Sequence, residues 1–96
     1  MSDVLKGEEL AAAIKKCPEW DVSEDEKELV RVLEFEEFTE AIDFVNDLAE
    51  IAEEVAHHPD IDIRYSKVIL RVTTHDEGGI TEADIELANH IDNLVD

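Results

Sequence analysis

The chain has 96 residues, enough for one domain, and its 27 acidic against 8 basic side chains leave a formal charge of −19. Such a charge excludes nucleic acid and anionic membrane surfaces as expected partners, since both call for a basic face. No apolar run approaches the roughly 20 residues that cross a bilayer, and the opening Met1-Ser2-Asp3-Val4-Leu5-Lys6 lacks a basic, then apolar leader.

Residues 8–16 read as a first helix, with Glu8 and Glu9 favouring its start, Lys15 and Lys16 its end, and Pro18 as its stop. Leu10, Ile14 and Cys17 share a face, which makes Cys17 a buried filler. It is the only cysteine, so no internal disulfide framework or multi-cysteine metal site is expected, and a reducing cytoplasm is the plain compartment. Trp20 to Val22 and Glu28 to Phe35 are extended pieces around the polar turn Ser23-Glu24-Asp25-Glu26, and together they suggest a hairpin.

Thr39 is placed to cap the next helix, with Glu40 and Asp43 in its first turn, and the helix runs to about Ala56. It carries two apolar stripes, Ile42, Val45, Ala49 and Ala52 beside Phe44, Leu48, Ile51 and Val55. One stripe suffices for an ordinary surface helix. Two stripes mean either a second packing partner or a central helix that a small domain buries on most sides. His57-His58-Pro59 ends this helix, and Ile61, Ile63 and Tyr65 alternate with Asp62 and Arg64 as a strand. After a link at Ser66-Lys67, a longer strand follows in which Val68, Leu70 and Val72 alternate with Ile69, Arg71 and Thr73. Gly78-Gly79 allows a sharp turn. Thr81 with Asp84 forms a capping-box-like start to the last helix, whose Ile85, Ala88, Ile91 and Val95 share a face.

The order α-β-β-α-β-β-α over residues 1–96 predicts a single α+β domain, a four-stranded antiparallel sheet with helices packed on one face. A hydrophobic content of 44% suits a folded chain. The acidity then reads either as a well-solvated surface or as adaptation to high salt, where repulsion is screened. A domain this small gains from self-association, so a homodimer or homotetramer is expected, with the long helices or sheet edges in contact.

Three of the four histidines sit at junctions. His57 and His58 close the long helix, where carbonyl ends favour a protonated imidazole. His75 ends the longest strand and by alternation points with Thr73 and Arg71, away from Val68, Leu70 and Val72. Glu53 lies one turn before His57 on the same face. Imidazoles with a carboxylate are suited to proton transfer near neutral pH, while each histidine also reads as a helix terminator or cap, and His90 as a surface residue. Metal binding ranks below proton transfer, because adjacent histidines are poorly arranged around one ion.

Glu53, His57-His58-Pro59, Tyr65, His75 and Asp84, in this spacing, resemble the signature of the pterin-4a-carbinolamine dehydratases. The Thr74-His75 and Gly79-Ile80-Thr81 contexts, Trp20 after a first helix and the Phe35–Phe38 segment extend the similarity over nearly the whole chain. The resemblance implies dehydration of a 4a-hydroxytetrahydropterin to the quinonoid dihydropterin, with no metal or organic cofactor. Hydroxide is a poor leaving group, so an acid must protonate it while a base removes the N5 proton. Imidazoles serve both ends of that exchange. By similarity His57 and His75 are the candidate acid and base, His58 holds the pterin, and Glu53 orients the pair. Ala56, Thr73, Thr74, Asp76, Trp20 and Asp84 join the histidines as substrate-contact candidates, Asp84 equally as a helix cap. Animal members often carry an acidic residue where this chain has Ala56. The family leaves two alternatives: a non-catalytic binding or dimerisation module, as in the coactivator role of animal relatives, and a place in molybdopterin metabolism.

Overall fold

In a computed structural model, which describes residues 4–95, β2 (Leu29–Glu34) and β4 (Lys67–Val72) pair antiparallel at the centre of a four-stranded sheet. The two-residue β1 (Asp21–Val22) pairs with β2 at one edge and β3 (Asp60–Arg64) with β4 at the other, giving the order β1-β2-β4-β3. Three helices complete the α+β fold: α1 (Gly7–Ile14), α2 (Phe38–Val55) and α3 (Glu82–Val95). Leu29, Leu33, Val68, Leu70 and Val72, all buried, alternate along the central strands and face the helices. Val32 and Arg71 stand exposed on the other face, as a period of two requires. Leu48, Ile85, Ala88 and Ile91 close the core from α2 and α3.

Local chemistry moves several boundaries. The last turn of α1 tightens, since Lys16 and Cys17 donate three residues back to Ala13 and Ile14, so the regular helix stops before the two lysines. Glu37, not Thr39, caps α2: it forms a capping box in which Glu40 returns a carboxylate to the backbone of Glu37. A carboxylate reaches these amides as well as a hydroxyl does, and Thr39 falls inside the first turn. The buried face of α2 is a single one, Ala41, Phe44, Leu48 and Ala52, with Ala49 and Val55 left exposed, so the two stripes merge into one core face and its flanks. The β3–β4 link is Tyr65-Ser66 and not Ser66-Lys67, with Tyr65 at φ 55°. A left-handed tyrosine costs about 1 kcal/mol, and alternation of apolar residues does not encode the sign of φ.

The polar run Ser23–Glu26 is a turn, as expected. Ser23 Oγ donates to Asp25 Oδ1 at 2.7 Å and the Lys27 amide to the same oxygen at 3.1 Å. The Ser23 hydroxyl, then the Lys27 backbone, hold the Asp25 carboxyl below its ordinary range.

Candidate active site: an imidazole cleft beyond the sheet

Three chain segments meet past the end of β4: the carboxyl end of α2, the β4–α3 loop and the first turn of α3. At the end of α2, Ala56 adopts φ 56°, its amide donates to Glu53 O at 3.3 Å, and the His57 amide reaches Ala52 O at 3.1 Å. This is a Schellman closure with alanine where glycine is usual. It swings the chain off the helix axis and turns His57 toward α3.

There His57 Nε2 lies 2.5 Å from Asp84 Oδ1. Asp84 is fully buried, and its other oxygen accepts from the Thr81 amide at 2.8 Å and from Thr74 Oγ1 at 2.9 Å. Thr81 and Asp84 therefore cap the start of α3 as the capping-box-like spacing suggested, Asp84 taking the Thr81 amide while the Ala83 amide donates to Thr81 Oγ1 at 3.3 Å. Thr74 spends its one hydroxyl proton on Asp84, so at 2.8 Å Thr81 donates to Thr74. As a carboxylate Asp84 only accepts, which assigns the His57 proton to Nε2 and leaves Nδ1 as the ring's free nitrogen.

His58 points the other way, its Nε2 2.5 Å from Glu53 Oε2, with the two side chains 62% and 77% exposed. Glu53 thus pairs with His58 and not with His57. The reason is the left-handed residue at Ala56, which breaks the helical repeat one position before His57. His75 lies beyond β4 in the loop closed by the Thr74–Gly79 bridge, 72% exposed, with Nε2 4.0 Å from Asp60 Oδ2. Gly78 gives that loop its φ of 78°, and a Cβ on Gly79 would come within 2.8 Å of Val4.

His57, His58 and His75 line one open cleft of about 230 Å³, together with Ala56, Thr73, Thr74 and Asp76. The cleft brings these seven residues singled out from sequence together. Thr73 is buried and donates to Lys27 O at 2.5 Å, so it braces the wall and does not stand on an open face. Trp20 is elsewhere. Its ring is buried in the core and its Nε1 donates to Asp92 Oδ1 at 2.8 Å, beside an Arg31–Asp92 ion pair. Asp84 lies behind His57, outside the lining of the cleft. His90 is an exposed residue of α3. Among the described residues no group of three or more His, Cys, Asp or Glu gathers as a metal ion would need.

A sequence profile described as pterin 4 alpha carbinolamine dehydratase matches residues 3–94. The chain belongs to that family. A "putative pterin-4-alpha-carbinolamine dehydratase" of Picosynechococcus sp. is 46% identical over 94 residues, covering 98% of this chain and 100% of that one. A protein of the same name from Thermomicrobium roseum is 49% identical over 85 residues, 88% of this chain and 89% of its own. Among solved structures, a transcriptional coactivator/pterin dehydratase from Brucella melitensis superposes with a TM-score of 0.92 at 28% identity, over 98% of this chain and 100% of that one. A pterin dehydratase-like protein identified as a RuBisCO assembly factor in the alpha-carboxysome shares the fold, with a TM-score of 0.66 at 24% identity over 78% of this chain and 87% of its own.

Within this dehydratase-family chain, the partner missed from sequence is Thr81, whose hydroxyl extends the network behind His57. Its signal was present in the capping spacing to Asp84. A cap uses one carboxylate oxygen, which leaves the second free for another task. Cys17 is buried as expected, and burial followed by the charge of Asp92 pushes its thiol up from the ordinary 9.0.

Proposed function

We propose that the chain dehydrates a 4a-hydroxytetrahydropterin to the quinonoid dihydropterin by histidine acid–base catalysis. The observation that supports this most is the convergence of His57, His58 and His75 on one open cleft, with His57 held from behind by Asp84. The C4a–O bond breaks as an imidazolium protonates the departing hydroxyl, and the N5 proton passes to a neutral imidazole, so water leaves and the ring gains its C4a=N5 double bond. Asp84 fixes Nε2 of His57, so this ring moves its proton through Nδ1. His58, paired with Glu53, and His75, near Asp60, are exposed and free to meet the flat ring. His57 and His75 supply acid and base, with His58 binding and polarising the pterin. Asp84 and Trp20 act away from the substrate, Asp84 through His57 and Trp20 in the core.

A purely protein-binding role has no use for a locked imidazole, whereas proton transfer does. The same reading covers a role in molybdopterin metabolism, since the site would perform the same step on a related ring. A cytoplasmic setting is supported by the single buried thiol Cys17, and no described helix is long and apolar enough to cross a membrane. Self-association as a homodimer or homotetramer is supported by the open edge of β3, where Ile61 and Ile63 are exposed. Light scattering giving a monomer mass at micromolar concentration would refute that part.

Stopped-flow dehydration of freshly generated carbinolamine tests the chemistry. The intact chain should accelerate the reaction. A His75→Ala substitution should slow it about 10²-fold or more, and His57→Ala/His75→Ala further. A double variant matching the intact chain would overturn the proposal.

A further inference from the structure

The loop that carries His75 leaves the sheet at Val72, where the pairing of β4 with β2 ends. We propose that residues 4–6, the segment before α1, brace this loop, and that Val4 and Gly79 are positioning residues for His75. Both lie outside the walls of the imidazole cleft, and their role rests on the dehydratase reading above.

His75 has the weakest side-chain support of the three imidazoles. His57 and His58 each meet a carboxylate at 2.5 Å, whereas His75 is exposed and 4.0 Å from Asp60. A ring so loosely tethered stands where its backbone puts it.

Two limbs set that backbone. The first is fixed at Thr74, whose hydroxyl donates to Asp84 at 2.9 Å and accepts from Thr81 at 2.8 Å. The second, Gly79 and Ile80, meets the brace. The Leu5 amide donates to Ile80 O at 2.7 Å, and a Cβ on Gly79 would find Val4 atoms at 2.8, 3.5 and 3.8 Å. Between brace and loop there is no room for one more methyl. The limbs are joined where the Thr74 amide donates to Gly79 O at 2.9 Å, and the Gly78 amide donates to His75 O at 3.2 Å. A displacement of Gly79 therefore reaches His75 through one neighbour and one hydrogen bond.

The brace is the firmer side of this contact. Lys6 O accepts the Glu9 and Leu10 amides at 3.1 and 3.4 Å, which ties the segment to the start of α1, and the Leu5 side chain packs on the core. Residues 75–78 are all exposed, so an added bulk at the contact is absorbed by the loop.

The test is a size swap across the contact, read by stopped-flow dehydration of freshly generated carbinolamine. Gly79→Ala places a methyl 2.8 Å from Val4 Cγ1 and must move the loop. It should lower kcat about tenfold with KM nearly unchanged, since orientation is lost while the binding walls stay. In Val4→Ala/Gly79→Ala only the Val4 Cβ position remains opposite, at 3.8 Å, an ordinary van der Waals contact. That double variant should recover kcat to within about twofold of the intact chain. Val4→Ala alone leaves a gap and should lower kcat about threefold, a second reading where Gly79→Ala is unstable. In a His75→Ala protein, Gly79→Ala should cost less than about twofold, because the group it misplaces is gone. Amide ¹H–¹⁵N spectra should show His75 and Gly78 shifted in Gly79→Ala and returned in the double variant, and circular dichroism checks each fold. Full kcat in both single variants, no recovery in the double variant, or a loss that persists without His75 overturns the brace while leaving dehydration standing. An intact chain that does not accelerate the carbinolamine overturns the dehydratase reading and the positioning role with it.

Discussion

Replacing Asp84 by Asn keeps the side chain's shape and changes what it can accept, which isolates the effect of the carboxylate on His57. Asp84 receives three hydrogen bonds in a fully buried position, from the Thr81 amide, Thr74 Oγ1 and His57 Nε2. An amide has one oxygen. That oxygen keeps Thr81 and Thr74, the arrangement that satisfies the helix start, and the NH2 then faces His57. A donor facing Nε2 forces the proton to Nδ1, so the nitrogen through which the ring would exchange its proton is in the wrong protonation state. Bonds to a charged group weaken to neutral ones, at a cost of about 1–2 kcal/mol in stability. The rate should fall far more, about 10²–10⁴-fold, the range seen when a carboxylate that sets a catalytic imidazole's tautomer becomes an amide. Stopped-flow dehydration gives the rate, urea unfolding the stability, and long-range ¹H–¹⁵N correlation of the imidazoles the tautomer. A folded Asp84→Asn protein with a rate within threefold of the intact chain and its Nε2–H tautomer preserved would refute the reasoning.

Ala56→Gly should stabilise the protein by about 1 kcal/mol, because glycine adopts the left-handed Schellman position without strain; an unchanged or lower urea midpoint would count against the strain. Cys17 should resist thiol reagents at pH 8 in the folded protein and react fully in denaturant, and equal labelling in both states would contradict its burial. Its raised thiol keeps a proton that the unfolded chain loses above about pH 9.0, so stability should fall as pH rises through that region, and Cys17→Ala should flatten the slope. Melting temperature should rise with sodium chloride into the molar range, as the screening length shrinks from about 10 Å to about 3 Å and self-repulsion fades; a flat response would show that −19 charges do not strain the fold.

Periodicity made the architecture legible because burial acts on it directly. Val68, Leu70 and Val72 alternate, and all three are buried under the helices. The sheet order was beyond its reach, since alternation gives each strand a buried face and says nothing of its neighbour. What failed locally was always a matter of backbone sign or side-chain reach. Tyr65 turns where alternation continues it, and Glu37 caps where a hydroxyl was sought. The candidate site divides the same way. His57, His58 and His75 were visible as residue types at element ends, and the family signature joined them. The shared face of Glu53 and His57 is lost because the helical repeat ends at Ala56, one residue before His57, and Glu53 meets His58 instead. Trp20 was drawn toward the site by resemblance alone, while its indole finds a half-buried acceptor, Asp92, on α3.

The contrast among the imidazoles bears on how the cleft would work. Two sit in water beside exposed carboxylates, His58 at Glu53 and His75 near Asp60, where the ring can turn at little cost. The third is pinned by a buried anion that also caps a helix, so its orientation is as stable as the start of α3 itself. Dehydration needs a donor and an acceptor at the same moment, and interchangeable rings would populate many unproductive proton arrangements. Locking one ring removes that degeneracy. It also concentrates the fixed geometry where burial excludes water, leaving His58 and His75 able to adjust to the incoming ring. On this view the carboxylate that matters most for proton transfer never touches the substrate, and it is found by following the helix cap inward and not by surveying the walls of the cleft.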